Sequence, residues 1–136
     1  MTILCVDDHP IILNGLEQDV RAAVPEAVIH SFTNSCDALA FAQEYGCDVL
    51  FCEIELYKNG GLRLAEQIRE LYPRANIIFV TVCSEKEHAK EVLRLRPSGY
   101  LTKPATRKQI AEELQNLRYP VHEGASSMGN TSGRAR

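Results

Sequence analysis

The sequence predicts an α/β domain built on a parallel sheet with helices on both faces. Two observations carry that prediction. Short apolar runs alternate five times with helical patterns, the signature of βαβ units. Three of the runs end at polar side chains: Ile3-Leu4-Cys5-Val6 at Asp7 and Asp8, Val49-Leu50-Phe51-Cys52 at Glu53, and Ile77-Ile78-Phe79-Val80 at Thr81. In an open parallel sheet the functional crevice lies outside the carboxyl ends of the strands, so these residues are expected to gather along one edge.

The elements follow in order. Thr2 to Val6 reads as the first strand, and Pro10 suits the first turn of a helix with Ile12, Leu16, Val20 and Ala23 at core spacing, ending near Pro25. Val28 to Phe32 is a second strand. Thr33 to Ser35 offer capping residues for a helix that buries Leu39 and the Phe41-Ala42 region and stops at Gly46. The third strand runs to about Ile54 and opens into a loop ending in Gly60-Gly61. The third helix sets Leu64, Ile68 and Leu71 on one stripe and closes at Pro73. Asn76 to Thr81 is the fourth strand. A fourth helix is expected over Glu85 to Leu95 with Ala89, Val92 and Leu93 inward; Lys86, Lys90 and Arg94 then form an exposed basic row. Ser98 to Thr102 is a short fifth strand interrupted by Lys103-Pro104, and the last helix carries Ile110, Leu114 and Leu117.

Composition narrows the function. At 136 residues, with 45% hydrophobic and 24% charged residues, the chain suits one domain with a core of its own. A net charge of −3 argues against a basic face for nucleic acid or anionic lipid. Cys5, Cys36, Cys47, Cys52 and Cys83 include no Cys-x-x-Cys pair, and most lie in apolar strands, so they read as reduced thiols. With no signal-like segment at Met1-Thr2 and no apolar span, a cytoplasmic location is expected. The domain is placed at residues 1–118. Residues 119–136 turn to Gly, Ser and Asn, which suits a flexible tail, a linker to another domain or vector-derived sequence.

Carboxylates at Asp7, Asp8 and Glu53 would repel one another without a cation. Mg²⁺ prefers such oxygen donors, and Thr81 and Lys103 could hold the remaining oxygens of a phosphoryl group. Taken singly, Asp7-Asp8 reads as an acidic pair at a helix start, Lys103 as a solvated lysine and His9 as a surface histidine.

Together, over residues 1 to about 118, the motifs resemble the receiver domain of two-component response regulators. They are the acidic pair Asp7-Asp8, a carboxylate closing strand three, the hydroxyl Thr81, and Lys103-Pro104. The resemblance implies a flavodoxin-like (CheY-like) five-stranded sheet of order 2-1-3-4-5 and a cis bond before Pro104. It also implies an Mg²⁺ site at Asp7, Asp8 and the backbone of Glu55; Glu53 is a candidate further ligand, or could itself occupy the metal's place. It makes Thr81 and Tyr100 the residues that rearrange on phosphorylation, signalling to the face of helix four, strand five and helix five. It implies a signalling domain rather than an enzyme, partnered by a sensor histidine kinase or other signalling protein and able to form a homodimer. Ser98 to Pro104 and Asn116 to Pro120 further resemble receivers that precede LytTR-type DNA-binding domains, an output that this acidic domain would regulate without touching DNA.

Three features depart from the family pattern. Glu53 stands at the phosphoacceptor aspartate, Leu56-Tyr57-Lys58-Asn59 replaces a Met-Pro-x-Met segment before a lost Asp, and Val82 replaces a small residue. One added methylene displaces the carboxylate in a reaction that depends on in-line geometry. Val82 is expected to narrow access to the phosphoryl pocket. These departures favour an atypical or pseudo-receiver. The alternatives are a receiver switched by Mg²⁺ or by weak phosphorylation at another carboxylate, a small Mg²⁺-dependent phosphohydrolase, and a nucleotide binder, for which Asp7-Asp8 would repel phosphate.

Overall fold

Hydrophobic strands buried on both faces determine the architecture. The computed structural model describes residues 1–121; the sequence-based reading of 122–136 as a tail lies outside the described residues. The strands are β1 (Thr2–Val6), β2 (Val28–Phe32), β3 (Val49–Cys52), β4 (Asn76–Thr81) and β5 (Gly99–Thr102). All pairings are parallel in the order β2-β1-β3-β4-β5, as the resemblance implied. The helices are α1 (Pro10–Ala23), α2 (Ser35–Tyr45), α3 (Gly60–Leu71), α4 (Ala89–Arg94) and α5 (Arg107–Gln115).

Alternate strand residues feed two cores. Leu4, Val6, Leu50, Cys52, Ile77 and Phe79 pack with Ala38 and Ala42 of α2, Leu64 and Ile68 of α3, and Val92 of α4. Ile3, Cys5, Val49, Phe51, Ile78 and Val80 pack on the other face with Leu13, Leu16 and Val20 of α1 and Ile110 of α5. Strands buried on both sides explain why their sequences are continuous apolar runs.

Local chemistry sets the helix ends. Pro10 begins α1, the Asn34 side chain accepts from Asp37 N–H at 2.8 Å to cap α2, and Thr106 with Gln109 forms a capping box at α5. Gly46 ends α2 at φ 90°. Gly61 is required by space: a Cβ there would stand 2.0 Å from the Glu53 carbonyl oxygen. The start of α3 is thereby pressed against the end of β3.

Some expected faces are corrected. Because α1 starts at Pro10, its buried stripe runs through Leu13, Leu16 and Val20, and Ile12 is 44% exposed. Helix four is shorter than expected, because Glu85–His88 forms a 3-10 turn before it. The change of pitch turns Val92 and Leu95 inward, leaving Ala89 exposed and Leu93 74% exposed. Lys86 lies in that turn and Lys90 and Arg94 in α4, so the basic row does not run along one helix. Leu71, at the last position of α3, is also exposed. Tyr119, assigned to the tail by sequence, is fastened to the domain: its N–H donates to Asn76 Oδ1 and its carbonyl accepts from Asn76 Nδ2, both at 2.8 Å.

Candidate functional site

The parallel pairing continues one residue beyond the strands. Glu53 N–H donates to the Val6 carbonyl at 3.1 Å and Lys103 N–H to the Thr81 carbonyl at 2.8 Å. This places Asp7, Glu53, Thr81 and Lys103 along one edge, the first three projected by strands buried on both faces and Lys103 by the edge strand β5. The peptide bond between Lys103 and Pro104 is cis, as expected.

Their side chains form one closed network. Lys103 Nζ lies 2.6 Å from Asp7 Oδ2 and 2.6 Å from Glu53 Oε1. Glu53 Oε2 accepts from the Thr81 hydroxyl and from Glu55 N–H, the latter at 2.7 Å. Asp7 Oδ1 accepts from His9 N–H at 2.9 Å. Asp7, Glu53 and Thr81 are buried, so each polar group needs such a partner. Burial acts to lower the ammonium pKa of Lys103, but hydrogen bonds and charge from Asp7 and Glu53 outweigh it and raise the net value.

Asp8 lies at the rim. His9 Nδ1 stands 3.1 Å from both Asp7 Oδ1 and Asp8 Oδ1, so two carboxylate oxygens converge on one point that a cation could share. Asp7, Asp8 and His9 offer ligand atoms within 4.8 Å of one another. Oxygen donors of this kind fit Mg²⁺. Both oxygens of Glu53, the further expected ligand, are already engaged by Lys103, Thr81 and Glu55.

The switch positions are close by. The Tyr100 hydroxyl donates to the Cys83 carbonyl at 2.9 Å, and its ring packs against Phe79 with centroids 6.0 Å apart. Burial pushes the Tyr100 phenol up to about 12. Cys83 N–H in turn donates to Thr81 Oγ1 at 3.3 Å, so one short segment joins the two. Val82, expected to narrow the pocket, is 65% exposed and lies outside this network. The loop after β3 turns through a 3-10 segment at Tyr57–Asn59, with Leu56 buried and Lys58 at φ 58°.

The model of the response regulator receiver domain matches residues 3–115. The chain belongs to the response regulator receiver family. It is 28% identical over 117 residues to Protein MrkE of Klebsiella pneumoniae, covering 86% of this chain and 43% of that protein. It is 27% identical to the transcriptional regulatory protein YpdB of Escherichia coli, covering 86% of this chain and 47% of the relative. The chain thus spans about half the length of the curated relatives it matches. The crystal structure of the response regulatory domain of MrkE superposes with a TM-score of 0.76 at 29% identity, covering 86% of this chain and 94% of that one. Membership in a signalling family disfavours the phosphohydrolase and nucleotide-binding readings. Among the described residues, no helix is long and apolar enough to cross a membrane.

Sequence reasoning missed three participants. Cys83 was counted only as a buried thiol, yet its Sγ donates to Glu55 Oε2 at 2.9 Å. Glu87 and His88 join these two in a second group of ligand atoms within 4.8 Å of one another. The Cys83-x-x-x-Glu87-His88 spacing was the visible signal; the approach of Glu55 from the preceding loop was not.

Proposed function

We propose that this chain is an atypical receiver in which Glu53 sets the switch with its own carboxylate instead of carrying a phosphoryl group. The observation that supports this reading is the saturation of Glu53, whose two oxygens take up Lys103 Nζ, the Thr81 hydroxyl and Glu55 N–H. Lys103 and Thr81 are the groups expected to hold phosphoryl oxygens. The added methylene brings the carboxylate to Thr81 directly, holding the hydroxyl inward while Tyr100 is held by the Cys83 carbonyl. A buried carboxylate occupied in this way is poorly placed as an in-line nucleophile.

Asp7 and Asp8, with the Glu55 backbone carbonyl, are the residues that would hold Mg²⁺, which would supply charge neutralisation at the acidic edge. The convergence of both aspartates on His9 Nδ1 supports a second reading, a receiver switched by Mg²⁺ alone. The output is proposed to be transcriptional, supported by the likeness to the transcriptional regulatory protein YpdB and by the half-length coverage of the relatives, and the effector to be of LytTR type, supported by the Ser98 to Pro104 and Asn116 to Pro120 segments. A sensor histidine kinase or another signalling protein is the proposed partner, and the face of α4, β5 and α5 the proposed output and homodimer surface.

The test is Mg²⁺ titration with and without beryllofluoride, followed by amide chemical shifts, on wild type and Glu53→Asp. Wild type is expected to show no beryllofluoride-dependent shift at Thr81 or Tyr100 and no acyl phosphate from a small phosphodonor. Glu53→Asp is expected to gain both. Acyl phosphate on the wild-type chain would overturn the proposal, and Mg²⁺-induced shifts spreading to Tyr100 without beryllofluoride would favour the second reading.

A further inference from the structure

Beside the acidic edge, on the outer side of the loops after β3 and β4, lies a set of donors of a different chemical kind. Cys83 Sγ, a His88 ring nitrogen and carboxylate oxygens of Glu55 and Glu87 all lie within 4.8 Å of one another. Three segments supply them: the loop after β3, the residue two beyond β4, and the 3-10 turn Glu85–His88. Cys83 is buried, His88 half-buried, and the two glutamates open to solvent. This group differs from the one around Asp7 in holding a thiol beside its imidazole and carboxylates. The thiol is also aimed into it, 2.9 Å from Glu55 Oε2.

We propose that Glu55, Cys83, Glu87 and His88 form a binding site for a borderline-soft divalent cation of the Zn²⁺ class. Zn²⁺ takes sulfur, nitrogen and oxygen donors together in tetrahedral geometry, whereas Mg²⁺ prefers oxygen alone. With metal–ligand bonds of about 2.0–2.3 Å, tetrahedral donors stand roughly 3.5 Å apart, so modest side-chain rotations close the site. On binding, the Cys83 S–H bond breaks, its proton passes to solvent and a sulfur–metal bond forms. Four protein donors make a closed site, structural in type rather than catalytic.

The placement gives the metal a consequence. Glu55 N–H is one of the donors to Glu53, while Cys83 N–H donates to Thr81 Oγ1 and the Cys83 carbonyl accepts from Tyr100. A bound ion would tie the loop after β3 to the segment after β4 at the point where Thr81 and Tyr100 are joined. The inference stands on the four donors and does not depend on whether Glu53 replaces phosphorylation.

Co²⁺ added to the full chain under reducing conditions reports the site directly. The expected result is one equivalent bound, with an intense tetrahedral visible spectrum and a thiolate-to-cobalt charge-transfer band, both displaced by Zn²⁺. Cys83→Ser should abolish the charge-transfer band. His88→Ala, at a position that does not support the core, should weaken Zn²⁺ affinity more than about tenfold, since even outer-sphere partners of a metal are worth that much. Cys36→Ser, which removes the exposed thiol, should change nothing. An octahedral spectrum without a charge-transfer band, as the sulfur-free Asp7-Asp8-His9 group would give, overturns the proposal. So does a charge-transfer band lost with Cys36, or unchanged Zn²⁺ affinity in His88→Ala.

Discussion

Two largely buried cations sit at opposite edges of the sheet, and they are neutralised in opposite ways. Lys103, at the carboxyl ends of the strands, is held by two carboxylates, Asp7 and Glu53. Arg69, at the far end of α3, is held by peptide carbonyls of Leu95, Tyr72, Pro73, Ala75 and Arg96, the three shortest at 2.8–2.9 Å. Carbonyl dipoles carry no net charge and do not titrate, so the Arg69 edge does not respond to pH. Carboxylates respond to protons, cations and phosphoryl groups, so the Lys103 edge can be reset. One scaffold thus separates a permanent clamp from an adjustable one.

The largest expected effect breaks the permanent clamp. Arg69→Met keeps the aliphatic stem but strands several carbonyls, and should lower unfolding free energy by on the order of 4 kcal/mol, because bonds from charged donors contribute about 1.5–3 kcal/mol each and do not add fully. Urea denaturation should show this loss equally at pH 5 and pH 8, since neither guanidinium nor carbonyl titrates there. A strongly pH-dependent loss would mean that Arg69 is neutralised by charge after all.

Lys103→Met is the matched test at the other edge. It leaves Asp7 and Glu53 without their shared cation and should cost about 3 kcal/mol at neutral pH, the low end for breaking a buried pair, because the neighbouring Asp8 opens this edge to water. The folded-state pKa of Lys103 is raised, so its stabilisation is complete below the ordinary lysine value of about 10.4 and is lost as pH rises through the raised folded-state value. The Lys103→Met loss should therefore shrink only at strongly alkaline pH, and a loss that stayed constant there would remove the distinction between the edges.

The adjustable edge was the more legible of the two in sequence, for a physical reason. Three of its residues stand at the end of a buried strand, so the end of an apolar run marks Asp7, Glu53 and Thr81, and parallel topology brings them together. Arg69 lies within an amphipathic helix where arginine usually faces solvent, and its partners come from segments 3 to 27 residues further on. No local pattern reports that. The inward face of helix four depends on the 3-10 turn that shifts its phase and leaves Leu93 outside; at α1 the start at Pro10 was legible, and the stripe was set one residue off, at Ile12 instead of Leu13. Tyr119 was assigned to the tail because its surroundings are polar; Asn76, and Arg69 and Arg74 whose guanidinium carbons stand 5.4 and 5.5 Å from its ring, are distant in sequence.

The smallest effects sharpen the comparison through two tyrosines, one at each edge. Tyr100→Phe keeps the ring against Phe79 but removes the hydrogen bond to the Cys83 carbonyl, and should cost about 1 kcal/mol with an unchanged urea m-value. The Tyr119 hydroxyl accepts an exposed 3.3 Å bond from Arg96 Nε, so Tyr119→Phe should leave the urea midpoint almost unmoved. Their ionisations should differ in the opposite direction from an ordinary phenol. Burial raises Tyr100 to about 12, whereas the Arg96 hydrogen bond and nearby guanidinium charges lower Tyr119 despite its partial burial. In an ultraviolet titration, Tyr119 should contribute to the early part of the phenolate absorbance and Tyr100 to the last part. The Tyr→Phe variants identify each contribution by its loss. If Tyr100 ionised with the exposed tyrosines, its hydroxyl would not be held at the Cys83 carbonyl, and the inward arrangement proposed for the switch would fail.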